Sequence, residues 1–192
     1  MENPVQPSPP LWGLVLAGGQ SSRMGFDKAW LKYGGSPQWQ VVTRLLEQVC
    51  ERVLVSVRPE QLQPDGIEVI PDTRRAGPLG GVLSAFQRKP DAAWLVVAVD
   101  MPFLSEKSLE YLVSHRDISR IATAFLASDG LPEPLVTIFE PSGFSLLLDF
   151  YNRNHLSLRK FLLNAEAKLL QPVAPDELTS IDTPGQYRQA TE

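Results

Sequence analysis

Apolar and polar positions along the chain follow two alternating rhythms. Leu11–Leu16 and Arg52–Val57 are short runs rich in branched residues, and 67–70 is a third, stopped by Pro71-Asp72. Between them, Val42, Leu45, Leu46 and Val49 recur at i, i+3, i+4 and i+7. That spacing predicts an amphipathic helix over 38–50, with Ser36 as N-cap and Pro37 at its first position. Residues 94–99 (WLVVAV) are apolar throughout, as in a strand buried on both faces of a parallel sheet. Residues 82–87 read as helical, and Ser105 is placed to cap a helix over 106–114. Residues 120–127 and 134–139 are two β-like runs joined by SDGLPE, a hairpin or a longer antiparallel return. Helices at 143–151 and 157–164, a late strand at 168–173 and a terminal helix at 184–189 complete the pattern.

The alternation predicts an α/β fold: a doubly wound, mostly parallel Rossmann-like sheet with helices on both faces and some antiparallel additions in the C-terminal half. No repeat or linker interrupts it, so 11–192 is expected to form one domain. Four prolines in MENPVQPSPP make 1–10 an expected flexible tail.

Composition narrows the function. Of 192 residues, 43% are hydrophobic and 21% charged, the balance of a globular chain. A net charge of −4 argues against a broad nucleic-acid footprint. No apolar run approaches a bilayer span, and the first ten residues lack the basic start and apolar stretch of a signal peptide. Cys50 is the lone cysteine and sits in an apolar helical pattern, which fits a buried thiol in a reducing cytoplasm.

In open α/β sheets, ligands sit beyond the carboxyl ends of the strands. Three unusual segments fall there: 17–28, 71–81 and 100–104. In the first, LAGGQSSRMGFDK, Gly18 and Gly19 permit close backbone approach. Arg23 offers a fork for phosphates and Lys28 a compact cation. The pattern is neither a Walker A loop nor GxGxxG, so residue types alone leave an ordinary turn equally open. Asp100 follows the buried strand, where a carboxylate serves either as a Mg²⁺ ligand or as a turn former before Pro102. A phosphate loop at the same edge favours the metal. Asp72 is a turn residue or a nucleotide contact, and GPLGG (77–81) a structural turn or a binding surface. His115 and His155 lack metal-ligand spacing. The four tryptophans read as core or rim, and Ser21 and Ser22 have no base partner.

LAGGQSSRMGFDKAWL, GPLGG, VDMPFL and the late SIDTPGQY, in this order, resemble the molybdenum cofactor guanylyltransferases over nearly the whole domain. The resemblance implies transfer of GMP from GTP to the molybdenum–molybdopterin cofactor, with Mg²⁺ as cofactor and pyrophosphate released. It implies backbone contacts to the nucleotide from Leu16, Ala17 and Gly18, with Gly19 in the same turn. Arg23 and Lys28 would bind and polarise the phosphates, Asp72 would position the nucleoside, and Asp100 would bind Mg²⁺. Ser56 stands where the family has a nucleotide-contacting asparagine. Ala98-Val99 replace a common Pro-Cys, Asp182-Thr183-Pro184 a common Asn-Thr-Pro, and Glu133 a neutral or imidazole group. Arg159, in the basic segment RNHLSLRK, is a candidate for the pterin side. GTP and the pterin are the implied partners, with transient contact to proteins that supply or receive the cofactor, and no nucleic acid or membrane. A cytidylyltransferase of the same cofactor, a sugar-1-phosphate nucleotidyltransferase and a non-catalytic nucleotide-binding accessory protein remain open alternatives.

Overall fold

The structure is a computed structural model that describes residues 8–18, 28–33, 35–61, 64–74 and 76–191. Seven strands form one sheet in the order β3-β2-β1-β4-β6-β5-β7. They are β1 (Leu11–Leu16), β2 (Arg52–Val57), β3 (Val69–Pro71), β4 (Ala93–Ala98), β5 (Ala122–Leu126), β6 (Pro132–Phe139) and β7 (Lys168–Leu170). Pairings β1–β2, β1–β4, β2–β3 and β5–β7 are parallel, while β6 runs antiparallel to both β4 and β5. The antiparallel additions expected in the C-terminal half thus come down to one reversed strand. It follows a tight return in which Gly130, at φ +77°, takes the left-handed conformation a side chain would resist.

Helices α1 (Gln38–Glu47) and α3 (Glu106–Ser114) cover one face; α2 (Pro78–Arg88), α4 (Phe144–Asn152) and α5 (Leu158–Asn164) cover the other. Strand periodicity divides the core between them. Ala93, Leu95 and Val97 of β4 pack with Val42, Leu46 and Leu109, whereas Trp94, Val96 and Ala98 pack with Leu83, Phe86 and Phe161. This is the doubly wound arrangement, and the continuous apolar run of β4 exists because helices lie on both sides of it.

Several boundaries shift for identifiable reasons. The helix expected at 82–87 begins at Pro78, so GPLGG is the start of α2 rather than a free loop. Gly77, at φ +59°, is its N-cap, and Pro78 occupies the first helical position, where its missing N–H costs nothing. Pro37, not Ser36, is the N-cap of α1 and no side chain caps that end; Gln38 N–H instead donates to Leu31 O at 2.8 Å. Pro71 ends β3 without breaking it, because β3 is an edge strand. β7 stops at Leu170, two residues before Pro172. Ser105 caps α3 as expected, accepting from Ser108 N–H.

The end of the Pro-rich segment is anchored: Pro10 O accepts from Ala93 N–H at 2.9 Å and Pro9 O from the Arg116 guanidinium at 3.1 Å. Its first seven residues lie outside the described ones. Arg116 also forms a two-point ion pair with Glu140, at 2.6 and 2.8 Å, and Glu140 is 1% exposed. Among the described residues no helix is long and apolar enough to cross a membrane.

Candidate functional site

β1 is the point where the strand order reverses, with β2 on one side and β4 on the other. A crevice at the carboxyl ends of such strands is the usual ligand position. A cleft of about 660 Å³ opens there, within the range of small-molecule sites. Leu16, Ala17, Gly18, Lys28, Ser56, Asp72 and Asp100 all line it, together with Gly77, Pro78 and Gly81. The three segments grouped from sequence therefore meet. Gly19 and Arg23 lie outside the described residues.

The β1 exit is pinned by its neighbours. Ala17 N–H donates to Ser56 O at 2.9 Å, and Val99 N–H to Leu16 O at 3.3 Å. Ser56 is buried beneath α2, and a Cβ on Gly81 would stand 3.0 Å from its Oγ and 2.6 Å from Leu16 Cδ2. A Cβ on Gly80 would come 2.5 Å from Asp72 Oδ1. The paired glycines thus let the first turn of α2 settle onto the ends of β1 and β2 and onto the Asp72 carboxylate. Asp72 itself is buried, its Oδ1 accepting from Arg74 N–H at 3.2 Å. Burial pushes its carboxyl above the usual aspartate range, and the Arg74 hydrogen bond and charge oppose that push.

Asp100 sits two residues past β4. Its Oδ2 is 3.6 Å from Lys28 Nζ, and its Oδ1 is buried with no hydrogen-bond partner among the described residues. Burial raises its carboxyl; Lys28 lowers it and Asp182 raises it further. A buried carboxylate oxygen with spare acceptor capacity at the wall of this cleft fits a hard divalent cation of the kind that takes one or two protein carboxylates and completes its shell with phosphate and water. Among the described residues no group of three metal-ligating side chains exists, so any such ion would lean on its ligand.

Sequence reasoning missed part of this site. Asp182, noted only as a departure near the C-terminus, accepts from Lys28 Nζ at 2.6 Å. It is carried there by a reciprocal capping box at the start of α6 (Pro184–Thr191). Thr183 N–H and Oγ1 donate to Gln186 Oε1, and Gln186 N–H donates back to Thr183 Oγ1. Tyr187 Oη donates to Lys32 O at 2.9 Å, and its ring meets Tyr33 edge-on. Burial, with Tyr187 and Asp100 adding to it, pushes the Tyr33 phenol up to about 12.

A second omission is the turn after β2. Arg58 and Glu60 line the cleft. Buried Gln61 donates from Nε2 to Ala17 O at 2.7 Å and accepts at Oε1 from Arg58 N–H at 3.1 Å. The legible signal was Arg-Pro-Glu-Gln directly after a strand at the ligand edge, with proline where a turn wants it.

Arg159 does not line the cleft; it pairs with Asp129 at 2.7 Å and stands 3.7 Å from Glu133. Glu133 is buried, and its Oε1 accepts from Leu135 N–H. His115 bonds to Tyr111 O, and His155 lies against Phe150.

The same assembly of strands and loops is found in known proteins. Residues 13–169 match the family model of the MobA-like NTP transferase domain. The chain is 34% identical over 185 residues to a molybdenum cofactor biosynthesis bifunctional protein of Synechocystis sp., covering 94% of this chain and 53% of that protein. It is 47% identical over 109 residues to a molybdenum cofactor guanylyltransferase of Xanthomonas euvesicatoria, covering 55% of this chain and 54% of that one. The matches thus span about half the length of these two relatives. The crystal structure of molybdopterin-guanine dinucleotide biosynthesis protein A from Archaeoglobus fulgidus superposes with a TM-score of 0.76 at 18% identity, over 94% of this chain and 96% of that one. At that identity the superposition speaks for the fold, while the family match, which covers every strand save the first two residues of β1 and the last of β7, speaks for descent. The chain belongs to the MobA-like NTP transferase family.

Proposed function

We propose that this protein transfers GMP from GTP to the molybdenum–molybdopterin cofactor, releasing pyrophosphate. The observation that carries the reading is the pairing of Lys28 with a buried, partly unpartnered Asp100 inside a cleft at the strand-order reversal. The named relatives support the choice of substrates.

The reaction brings two anions together. The terminal phosphate oxygen of the pterin attacks the α-phosphorus of GTP; the bond to the β-phosphate oxygen breaks, and pyrophosphate leaves. The nucleophile is already an oxyanion, so no side-chain base is required. The protein's work is alignment and charge neutralisation. Backbone at Leu16, Ala17, Gly18 and Gly19 holds the nucleotide, Ser56 and Asp72 fix its nucleoside end, and Lys28 with Arg23 neutralises the phosphates. Asp100 would hold Mg²⁺, which supplies Lewis-acid stabilisation of phosphate charge. Residues 11–192 act as one nucleotidyltransferase domain, in the cytoplasm.

Asp182, in an Asp-Thr-Pro where the guanylyltransferases commonly have Asn-Thr-Pro, favours a second reading, cytidylyl transfer to the same acceptor. One assay separates the two. Purified protein is incubated with molybdenum-loaded pterin cofactor, Mg²⁺ and each nucleoside triphosphate in turn. Pyrophosphate release with GTP is expected. Release with CTP alone would replace guanine by cytosine, and release with none would leave an accessory protein. Asp100→Asn is expected to keep its circular dichroism and Tm while turnover falls by about 100-fold or more. Retained turnover would remove Asp100 from the metal role.

A further inference from the structure

The turn after β2 has the makings of a base-reading element. Gln61 N–H donates to Arg58 O at 3.0 Å, closing a turn with Pro59 at its second position. The Gln61 side chain then ties that turn to the β1 exit through Ala17 O and Arg58 N–H. The arginine stem lies against the β1 exit, where even a Cβ on Gly18 would make only ordinary contact with Arg58 Cγ, at 3.6 Å. The result is a short, braced platform that presents Arg58 and Glu60 to the cleft.

Both side chains have bonding capacity to give. Arg58 Nη1 and Glu60 Oε1 are 3.7 Å apart, an ion pair too long for a hydrogen bond. Arg58 Nε is buried with no partner among the described residues. Their position fits one end of a nucleotide. Lys28 and Asp100 mark the phosphate end beside β4, and Arg58 leaves β2. Two strand spacings, about 10 Å, separate those exits, a span comparable to that from an α-phosphate to the edge of its base.

We propose that Arg58 and Glu60 select guanine: Glu60 accepts from N1–H and the 2-amino group, and Arg58 donates to O6 and N7. Guanine presents two adjacent donors that suit a carboxylate's two oxygens, and O6 with N7 suits a guanidinium fork. Cytosine offers one donor group and adenine reverses the pattern at the same edge. The assignment rests on the nucleotidyl-transfer reading above and extends it to residues the family resemblance did not supply.

The test is calorimetric binding of GTP, ITP and CTP to the full chain with Mg²⁺ and without pterin, so that no transfer occurs. ITP lacks only the 2-amino group of GTP. The wild-type protein is expected to bind GTP about tenfold more tightly than ITP, since a hydrogen bond to a charged group is lost. Glu60→Ala, at a side chain 60% exposed and so tolerant of truncation, is expected to bring that ratio near one. Arg58→Ala is expected to weaken GTP and ITP together by about tenfold while CTP changes little. An unchanged GTP/ITP ratio in Glu60→Ala overturns the assignment, as does an equal loss for all three nucleotides in Arg58→Ala, which would make Arg58 a phosphate contact. Either result leaves nucleotidyl transfer standing; a wild-type protein that binds no nucleotide removes both.

Discussion

Lys28 Nζ donates to Asp182 Oδ1 at 2.6 Å across 154 positions of sequence, and the same ammonium stands 3.6 Å from Asp100 Oδ2. One cation holds two carboxylates, one from the end of β4 and one from the entry to α6. On the proposed nucleotide-transfer reading, those carboxylates would oppose a polyanionic ligand, Lys28 would offset them, and a phosphate arriving at Lys28 would compete with both.

Removing the more exposed competitor is expected to help a metal-free polyanion. Asp182 is 50% exposed, so its charge is partly screened and the effect is modest. In Asp182→Asn, affinity for GTP in EDTA should rise about two- to fivefold, read by calorimetry. The capping box uses Thr183 and Gln186, not the Asp182 side chain, so α6 should stay in place. Unchanged or weaker binding would show that Lys28 is not held back by Asp182.

Gly80→Ala tests the packing of α2 on Asp72. The added Cβ would meet Asp72 Oδ1 at 2.5 Å, and the carboxylate must move. Helix propensity favours alanine by up to about 1 kcal/mol, so net stability should change by less than that. Nucleotide affinity is expected to fall by about tenfold, matching Asp72→Ala, as when one hydrogen bond to a charged group is lost. Denaturation midpoints and nucleotide titrations on both variants check this; full affinity in Gly80→Ala would dismiss Asp72 as a nucleoside contact.

Glu133 predicts a pH dependence. Burial holds its carboxyl above the ordinary glutamate range; Leu135 N–H and Arg159 pull it down, while Asp100 and Asp129 push it up. The sign follows from linkage: the folded protein binds this proton more readily than the unfolded chain. Below the ordinary glutamate value both states are protonated and nothing is lost. As pH rises through that value toward the raised one, the unfolded chain ionises first and folding loses stability. Glu133→Gln, whose amide oxygen can still accept from Leu135 N–H, should therefore stabilise the protein at pH 7.5, and the gain should shrink as pH falls toward 4. Urea unfolding at both pH values measures it; a gain independent of pH would contradict the assignment.

Arg116→Ala should be the most damaging change outside the cleft. It leaves Glu140 buried without its partner, which costs about 3–5 kcal/mol. It also removes the donor to Pro9 O. The double variant Arg116→Met/Glu140→Leu should recover most of that loss, because apolar replacements do not need the pair. Chemical denaturation of the two variants distinguishes a buried pair from a rim pair, whose loss would be under about 1 kcal/mol.

Much of this was legible in local pattern. β1, β2 and α3 fall where periodicity and capping place them, because those signals are carried by residues no more than three or four positions apart. WLVVAV declares a strand covered on both faces, and the glycine, Asp72 and Asp100 segments share an edge as soon as strands are parallel. What local pattern could not carry were contacts between distant segments. GPLGG looks like a loop until β1, β2 and Asp72 are seen beneath it; only then do Gly80 and Gly81 belong to a helix that must approach closely. Gln61 looks like a polar turn residue until Ala17 O is found 2.7 Å from its amide.

The sequence by itself determined the alternation of strands and helices, the apolar faces that bury them, and the residue types available at the ligand edge, since each depends on short-range periodicity and side-chain chemistry. Only the tertiary structure decided that β6 runs against its neighbours, that the turn at Arg58–Gln61 is braced against Ala17, and that Asp182 meets Lys28. Those outcomes depend on which distant segments satisfy one another's charges and hydrogen bonds once the sheet has closed around them, and no local window holds both partners.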